Sequence, residues 1–368
     1  MALPEFTIGI EEEYQIVDPE TRELTSYVQE MLDEGRHVLK DQIKEEFLQS
    51  QIEVGSKICR NIVEAREELV RLRSAVIAVA ENNGLCVLAA STHPFSSWAD
   101  QEVTPKERYF KHREALAYIA QRLLIFGMHI HVGIKDQDLR IDLMDQARYF
   151  LPHLLALSTS SPFWMGRDTG MKSYRSIVFQ DLPRTGPPPE FKSWNEYARF
   201  VDTLVQTNCI EDATRIWWDI RPHPKFPTIE FRVTDICTKI DEAICLAALT
   251  VAIVAKLYQL RQKNQSWRRY GHHLIAENKW RAVRWGTGGK LLDFGKREEV
   301  PFRDLANEVL ELIDDVVDEL GLRQEIAYLE TILEEGTSAD RQLAVYEEGG
   351  DFKAVVDHLV AETKEGCE

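Results

Sequence analysis

Cysteine is sparse and never paired at redox or metal spacing: the six residues at 59, 86, 209, 237, 245 and 367 form no Cys-x-x-Cys. A disulfide framework and a zinc knuckle are both excluded as organising elements, and the thiols read as reduced groups, mostly in the core. Basic residues are also in deficit, 44 against 61 acidic ones, for a net charge of −17. Nucleic-acid binding needs a clustered Lys/Arg excess to neutralise phosphates, and the chain lacks one. Any anionic substrate must be met by local positive charge. No apolar run reads as reaching the roughly 18 residues of a membrane span. The start, MALPEFTIGIEEEYQIV, has no basic n-region of a signal peptide. The expected location is the cytoplasm. Familiar nucleotide loops are missing too. Gly286-Thr287-Gly288-Gly289-Lys290-Leu291 has Gly-Lys but no glycine five before Gly289, and no Ser/Thr follows the lysine. The absence of GxGxxG disfavours doubly wound oxidoreductases.

What is present is a chain of 368 residues, 44% of them hydrophobic, long enough for one large domain or two average ones. Residues 6–17 alternate apolar and polar side chains beyond Gly9, as a half-buried strand does, and Gln49–Ile58 and 85–91 read as further strands. Helical spacing runs from Asn61 to Asn83 and ends at Asn83-Gly84. A long helix is expected from about Pro105 to Phe126, then a short strand MHIHVGI, then a helix over 139–159. The proline-rich segment Phe179–Pro189 reads as a long loop. Strands at 217–222 and 228–235 pair most simply as an antiparallel hairpin. A helix over 240–262 follows, and from Pro301 onward the chain is helical and acidic, with turns at Gly321, Gly336 and Gly349. There is no strict βαβ rhythm. An α+β fold is therefore expected, with helices on one face of an antiparallel sheet.

Residues that carry chemistry recur at two-residue spacing. Glu11 and Glu13 share one face of their strand with Cα atoms roughly 6.5–7 Å apart, while Ile10 and Glu12 face the other way. Two carboxylates so placed repel unless a cation lies between them. Gln49, Gln51 and Glu53 repeat the pattern, and Glu46 precedes Glu53 by seven residues. His129 and His131 alternate with Met128, Ile130 and Val132; Glu230 and Arg232 alternate with Ile229, Phe231 and Val233, and Arg221 comes from the neighbouring strand. Any one of these is explicable as a solvated face or a cross-strand ion pair. Four strands of the same design point instead to one sheet face that holds metal and anions. Several carboxylates with a single imidazole suit Mg²⁺ or Mn²⁺ better than zinc. Carboxylates, divalent ions and arginines together are what phosphoryl transfer requires, which makes ATP the natural phosphate donor.

The segments GIEEEYQIV, SQIEVGSKIC, STHPF at 91–95, FGMHIHVGI, LSTSSPFWMGRDTGMKSYRS at 157–176, WWDIRPHP and TIEFRVTD, in that order, resemble the bacterial carboxylate-amine ligases of the glutamate-cysteine ligase type 2 family. The resemblance runs from about residue 6 to residue 360 and implies a glutamine synthetase-like catalytic core, a curved antiparallel sheet with its site on the concave face. It implies a single catalytic domain over 1–368, with a core of about 6–262 and a C-terminal helical region of about 300–362 packed onto it. By motif position, Glu13, Glu46 and Glu53 resemble ligands of one cation, with Glu45 as the alternative to Glu46. Glu11, His129 and Glu230 resemble ligands of a second. His131 would approach the ATP phosphates, and Arg232, Arg221 and Arg175 would neutralise the transferred phosphoryl and the substrate carboxylate.

The implied activity is ATP-dependent formation of a γ-glutamyl amide, with cysteine as the family's default amine, through an acyl phosphate. A carboxylate resists attack by amines because it is anionic and would have to expel oxide; phosphorylation supplies a leaving group. The loop 179–189 and Gly166 and Gly170 are candidate lid elements. A metal-dependent hydrolase using His-x-His is the main rival, though His153, His223 and His272-His273 do not look placed to add ligands; a phosphotransferase is the second. The partners implied are small amino acid substrates, with no nucleic acid and no membrane, and the enzyme class suggests a homodimer.

Overall fold

Alternation over the N-terminal residues produces strand β1, Ile8–Val17, which sits inside an antiparallel sheet. The structure is a computed structural model and describes residues 3–26 and 28–367. After β1 come α1 (Val28–Leu39), β2 (Ile43–Glu45), β3 (Gln51–Gly55), α2 (Ile62–Asn82) and β4 (Cys86–Leu88). The middle of the chain supplies α3 (Glu107–Leu116), α4 (Tyr118–Gln121), β5 (Met128–Gly133), α5 (Gln137–Ala147), α6 (Leu151–Ser158) and α7 (Tyr174–Phe179). Then follow β6 (Thr185–Gly186), α8 (Trp194–Gln206), β7 (Trp217–Trp218), β8 (Ile220–Pro222), β9 (Thr228–Phe231) and α9 (Ile240–Gln262). The rest is α10 (His272–Trp285), the hairpin β10 (Lys290–Asp293) and β11 (Glu298–Pro301), and helices α11 (Phe302–Val317), α12 (Arg323–Glu335), α13 (Ser338–Gly349) and α14 (Phe352–Lys364).

The main sheet runs β2-β3-β1-β5-β9-β8, with β4 beside the end of β1, and every pairing in it is antiparallel. The α+β expectation is met, and β8 and β9 form the expected hairpin. One face of the sheet is apolar: Ile10, Tyr14, Ile52, Val54, Ile130, Val132 and Phe231 are all buried. Helices α2 and α9 contact β1 across it. Among the described residues α9 is the one helix long and apolar enough to cross a membrane, whereas the sequence reading found no apolar run of that length. It is instead a largely buried core helix.

Glu12 points to this apolar face, as alternation requires, and meets Arg73 of α2 at 2.6 Å; both side chains are 0% exposed. The Arg73 guanidinium also donates to the carbonyls of Thr238 (2.6 Å) and Cys237 (3.1 Å), and the Tyr14 hydroxyl bonds Glu12. Removing one partner of such a pair strands a buried charge. Arg73→Ala is therefore expected to lower the unfolding free energy by about 3–5 kcal/mol. Denaturant titration measures it, and a loss under about 1 kcal/mol would mean that Glu12 is solvated some other way.

Several boundaries differ from the sequence reading. The expected helix 105–126 breaks at Ala117, whose φ is 51°, ends after Gln121, and reaches β5 through residues 122–127, which belong to neither a helix nor a strand. The expected helix 139–159 is interrupted by a 3₁₀ turn at Arg148–Phe150, with Pro152 in the first turn of α6, where its missing N–H is harmless. The proline-rich loop contains β6, which pairs in parallel with β7. Only Cys59, Cys237 and Cys245 are buried; Cys86 and Cys367 are half-buried and Cys209 is exposed, so half the thiols lie outside the core.

The C-terminal helices brace the middle of the chain. Thr337 caps α13, and its hydroxyl lies 2.8 Å from that of Thr159. Ala339 N donates to Thr159 O, Gln342 Nε2 to Ser160 O, and Lys172 Nζ pairs with Asp340 at 2.6 Å. The segment that carries Arg175 is thus held from behind.

Candidate active site

The sheet face opposite Glu12 collects the polar residues, and register alone explains how. Directly opposed residues on neighbouring strands share a face. Lys44, Glu53 and Glu13 therefore form one row, Glu11 and His129 a second, and His131, Glu230 and Arg221 a third.

At the centre, Glu11 Oε2 lies 3.2 Å from His129 Nδ1 and 3.6 Å from His131 Nε2. Donor atoms of Glu11, His131 and Glu230 all lie within 4.8 Å of one another, close enough to share one metal ion. His131 Nδ1 is 3.1 Å from the Thr228 hydroxyl, while its Nε2 is buried and has no hydrogen-bond partner. An orphaned imidazole nitrogen between two carboxylates is a place where a cation or a water would find a partner. The motif comparison placed His129 in this trio; in the structure His131 is the imidazole that closes it, and His129 bonds Glu11 from the side and lies 3.5 Å from Arg232 Nη1.

Glu230 is the most heavily paired carboxylate. It accepts from Arg221 Nε at 2.7 Å and Nη2 at 3.1 Å, and from Arg232 Nη1 at 2.5 Å. Burial alone would raise its pKa, but Arg232 and Arg221 hold the carboxyl far below the usual range. Glu13 goes the other way. Burial and the neighbouring Glu53 push its carboxyl up to about 7, against the pull of Arg175 and of the Gly127 N–H, which donates to it at 2.6 Å. Burial and Arg232 bring His129 down to about 4, whereas His131 is raised because Glu11 and Glu230 outweigh its own burial. Two of the positive charges, Arg221 and Arg232, therefore serve one carboxylate, while His129 and His131 hold Glu11 well below the usual range against its burial and Lys44 pairs with Glu53.

Two cavities flank this centre. A small one, about 160 Å³, is bounded by Glu13, Glu46, His129, Arg175 and Arg232. A large one, about 640 Å³, is bounded by Gly9, Glu11, His131, Phe226, Thr228 and Tyr258. Of the two adjacent glutamates, Glu46 borders the small cavity and Glu45 pairs with Lys106. Phe179, the last residue of α7, and Leu182 of the proline-rich loop line the small cavity; Gly166 and Gly170 border neither.

Arg175 is set by residues that sequence reading did not single out. Its Nη2 donates to Arg232 O at 3.2 Å, its Nη1 is 3.9 Å from Asp235, and it lies over the Phe179 ring. Asp235 is fully buried and accepts from Ser160 N (3.0 Å), Ser161 Oγ (2.7 Å) and Ser173 Oγ (2.8 Å), which accounts for three serines of the 157–176 motif. Gly127 is close-packed under the guanidinium: a Cβ there would stand 2.4 Å from Arg175 Nη2. Gly127→Ala should therefore displace Arg175 and lower kcat/KM by about a hundredfold, with the melting temperature little changed; unchanged kinetics would show that Arg175 tolerates displacement. His223, set aside on sequence because it lies between prolines, stands 5.3 Å from His131 and stacks on Phe226. Backbone N–H groups of Lys225 and Phe226 occupy its Nδ1.

A sequence profile described as glutamate-cysteine ligase family 2 matches residues 7–358. The chain belongs to this family. A relative in Herpetosiphon aurantiacus, provisionally named glutamate–cysteine ligase 2, is 56% identical over 361 residues, which is 98% of this chain and 94% of the relative. One of the same name in Chloroflexus aurantiacus is 57% identical over 98% and 93%. Among solved structures, the glutamate–cysteine ligase of Francisella tularensis in complex with AMP superimposes with a TM-score of 0.72 at 15% identity, over 99% of this chain and 89% of that one. A bifunctional glutathione synthetase from Pasteurella multocida gives 0.71 at 14%, over 98% and 52%. Those two likenesses establish the fold. Family membership makes this protein a carboxylate–amine ligase of the glutamate–cysteine ligase type.

Proposed function

We propose that this ligase uses ATP to activate the γ-carboxylate of glutamate as an acyl phosphate and then joins it to an amine, cysteine being the family's default. The observation that carries the reading is the placement of one ligand cluster between two cavities of unequal size. The large one falls in the range of about 300–1,000 Å³ that takes a cofactor-sized molecule; the small one has room for little more than an amino acid. A reaction centre between a nucleotide and an acid is what phosphoryl transfer to a carboxylate needs.

The donor set fits Mg²⁺ or Mn²⁺: oxygen-rich, with one imidazole orphaned at Nε2. Glu11, His131 and Glu230 would hold one ion, and Glu13, Glu46 and Glu53 a second. Bound there, the ions would neutralise the polyphosphate. The protein's own contribution is positional. Arg232 and Arg175 line the small cavity and present guanidinium groups to the acid and to the moving phosphoryl. Phe179 and Leu182 shield the same space from water, which would otherwise hydrolyse the acyl phosphate.

The test supplies ATP, Mg²⁺ and glutamate, adds amines one at a time, and follows ADP and free phosphate. Amine-dependent release of both is the expected result. Hydroxylamine should replace the natural amine and yield γ-glutamyl hydroxamate, because any strong nucleophile captures an acyl phosphate. ADP without phosphate would make the protein a phosphotransferase, and substrate cleavage without ATP a hydrolase.

A further inference from the structure

One cation on the site face is neither an arginine nor part of any motif. Lys44 is the middle residue of the three-residue edge strand β2 and stands directly opposite Glu53. Its Nζ lies 2.8 Å from Glu53 Oε1. Glu11 and Glu46 are its next electrostatic neighbours. Gly55 lies between Glu11 and the ammonium: a Cβ there would be in ordinary contact with both, 3.9 Å from Glu11 Cγ and 4.0 Å from Lys44 Nζ. The ammonium thus reaches into a group of closely spaced carboxylates.

The two partners differ in freedom. The Glu53 side chain is 12% exposed and that of Lys44 is 52% exposed. Glu53 is fixed among its neighbours, and the ammonium is brought in from the solvent side on a flexible four-carbon stem. The two carboxylate groups of the site also differ. Among the described residues, the donor atoms of Glu11, His131 and Glu230 form a three-membered cluster; those of Glu13, Glu46 and Glu53 do not, although Glu46 lies within hydrogen-bond reach of Glu53. The group with no assembled cluster is the one that holds the lysine.

We propose that Lys44 is a resident counter-ion for Glu53 that competes with a divalent ion, so that metal loading at Glu13, Glu46 and Glu53 must expel the ammonium and is the weaker of two loadings. The proposal rests on the two-ion ligase reading above. Its physical basis is short-range repulsion. A unit charge about 4 Å from a doubly charged ion disfavours binding by roughly tenfold or more even in a water-like dielectric. Small hard cations also demand close oxygen ligands, which the ammonium occupies.

The test is Mn²⁺ binding to the full-length protein without nucleotide, followed by the electron paramagnetic resonance signal of free Mn²⁺, for wild type, Lys44→Met, Lys44→Gln and Lys44→Arg. Wild type is expected to show one tighter and one weaker class of site. In Lys44→Met and Lys44→Gln the weaker class should tighten by about tenfold, and Lys44→Arg should retain the wild-type weakness. Binding in both neutral variants that is unchanged or weaker overturns the proposal. If wild type binds no Mn²⁺ and makes no hydroxamate, the ligase reading itself falls. If it does both while the neutral variants bind Mn²⁺ as wild type does, only the role of Lys44 is lost.

Discussion

Arg232→Ala is expected to reduce turnover by about a thousandfold and to leave the protein folded. The residue borders the small cavity and lies 2.5 Å from Glu230 Oε1 and 3.5 Å from His129, and its Nε is buried without a partner. An unspent donor on a buried guanidinium, facing the space where a phosphoryl would pass, is the arrangement that stabilises developing negative charge. Groups of that kind are worth about 10²–10⁵ in rate. The fold survives because Glu230 keeps both hydrogen bonds from Arg221 and so is not left as an unpaired buried charge. The contact that holds Arg175 is to the backbone carbonyl of residue 232, which alanine retains. Arg232→Lys keeps the charge but loses the fork, and should recover only part of the rate. Hydroxamate formation, with thermal melting as the fold control, checks all three proteins. Wild-type turnover in Arg232→Ala would remove this guanidinium from the chemistry.

The residues of this site were legible in the sequence to the extent that they sit on strands. Alternation is a local property, so Glu11 with Glu13, His129 with His131, and Glu230 with Arg232 could each be assigned a face from a few neighbours. What alternation cannot supply is register between strands far apart in the chain. Which imidazole meets Glu11 and Glu230 together depends on β1, β5 and β9 being adjacent in that order. Motif position favoured His129 for that trio, and three-dimensional placement favours His131. The choice between Glu45 and Glu46 was open for the same reason, since the KEEF run leaves β2 after Glu45 and the next residue turns toward the cavity. Lys44 escaped notice because a strand of three residues has too few positions to show a period.

Other misses have a different origin. Asp235 was read as the end of a strand, and its function is visible only once three serines from 62–75 residues earlier converge on it. Gly127 follows the expected end of a helix at Phe126, and it matters because a guanidinium lies where its side chain would be. Both act through Arg175 and touch no periodic pattern. The helix predicted over 105–126 failed where tertiary pairing overrode propensity: Phe126 and Gly127 are recruited as backbone partners of Ser91 and Glu13, which leaves the apolar run 123–126 outside any helix.

Glu13→Gln should change activity and stability in opposite directions. Glu13 accepts from Gly127 N at 2.6 Å and Gln51 Nε2 at 3.3 Å, beside the Glu53 carboxylate. Its pKa in the folded protein is about 7, against 4.5 for an ordinary glutamate. The folded state therefore holds this proton more tightly than the unfolded chain does. The associated stability is complete below about pH 4.5 and is lost as pH rises through 7, up to about 3 kcal/mol in all. Glutamine cannot ionise and keeps a carbonyl for Gly127. Near pH 5 the variant and wild type should melt together in the absence of divalent ions, and at pH 8 the variant should melt a few degrees higher. Mg²⁺ should then raise wild type more than the variant and narrow the gap, because a ligand stabilises the state that binds it. Turnover, which needs the carboxylate as a metal ligand, should be lost at both pH values. A variant that melts at or below wild type at pH 8 would show that Glu13 is not held under charge repulsion, and the case for a cation beside it would weaken accordingly.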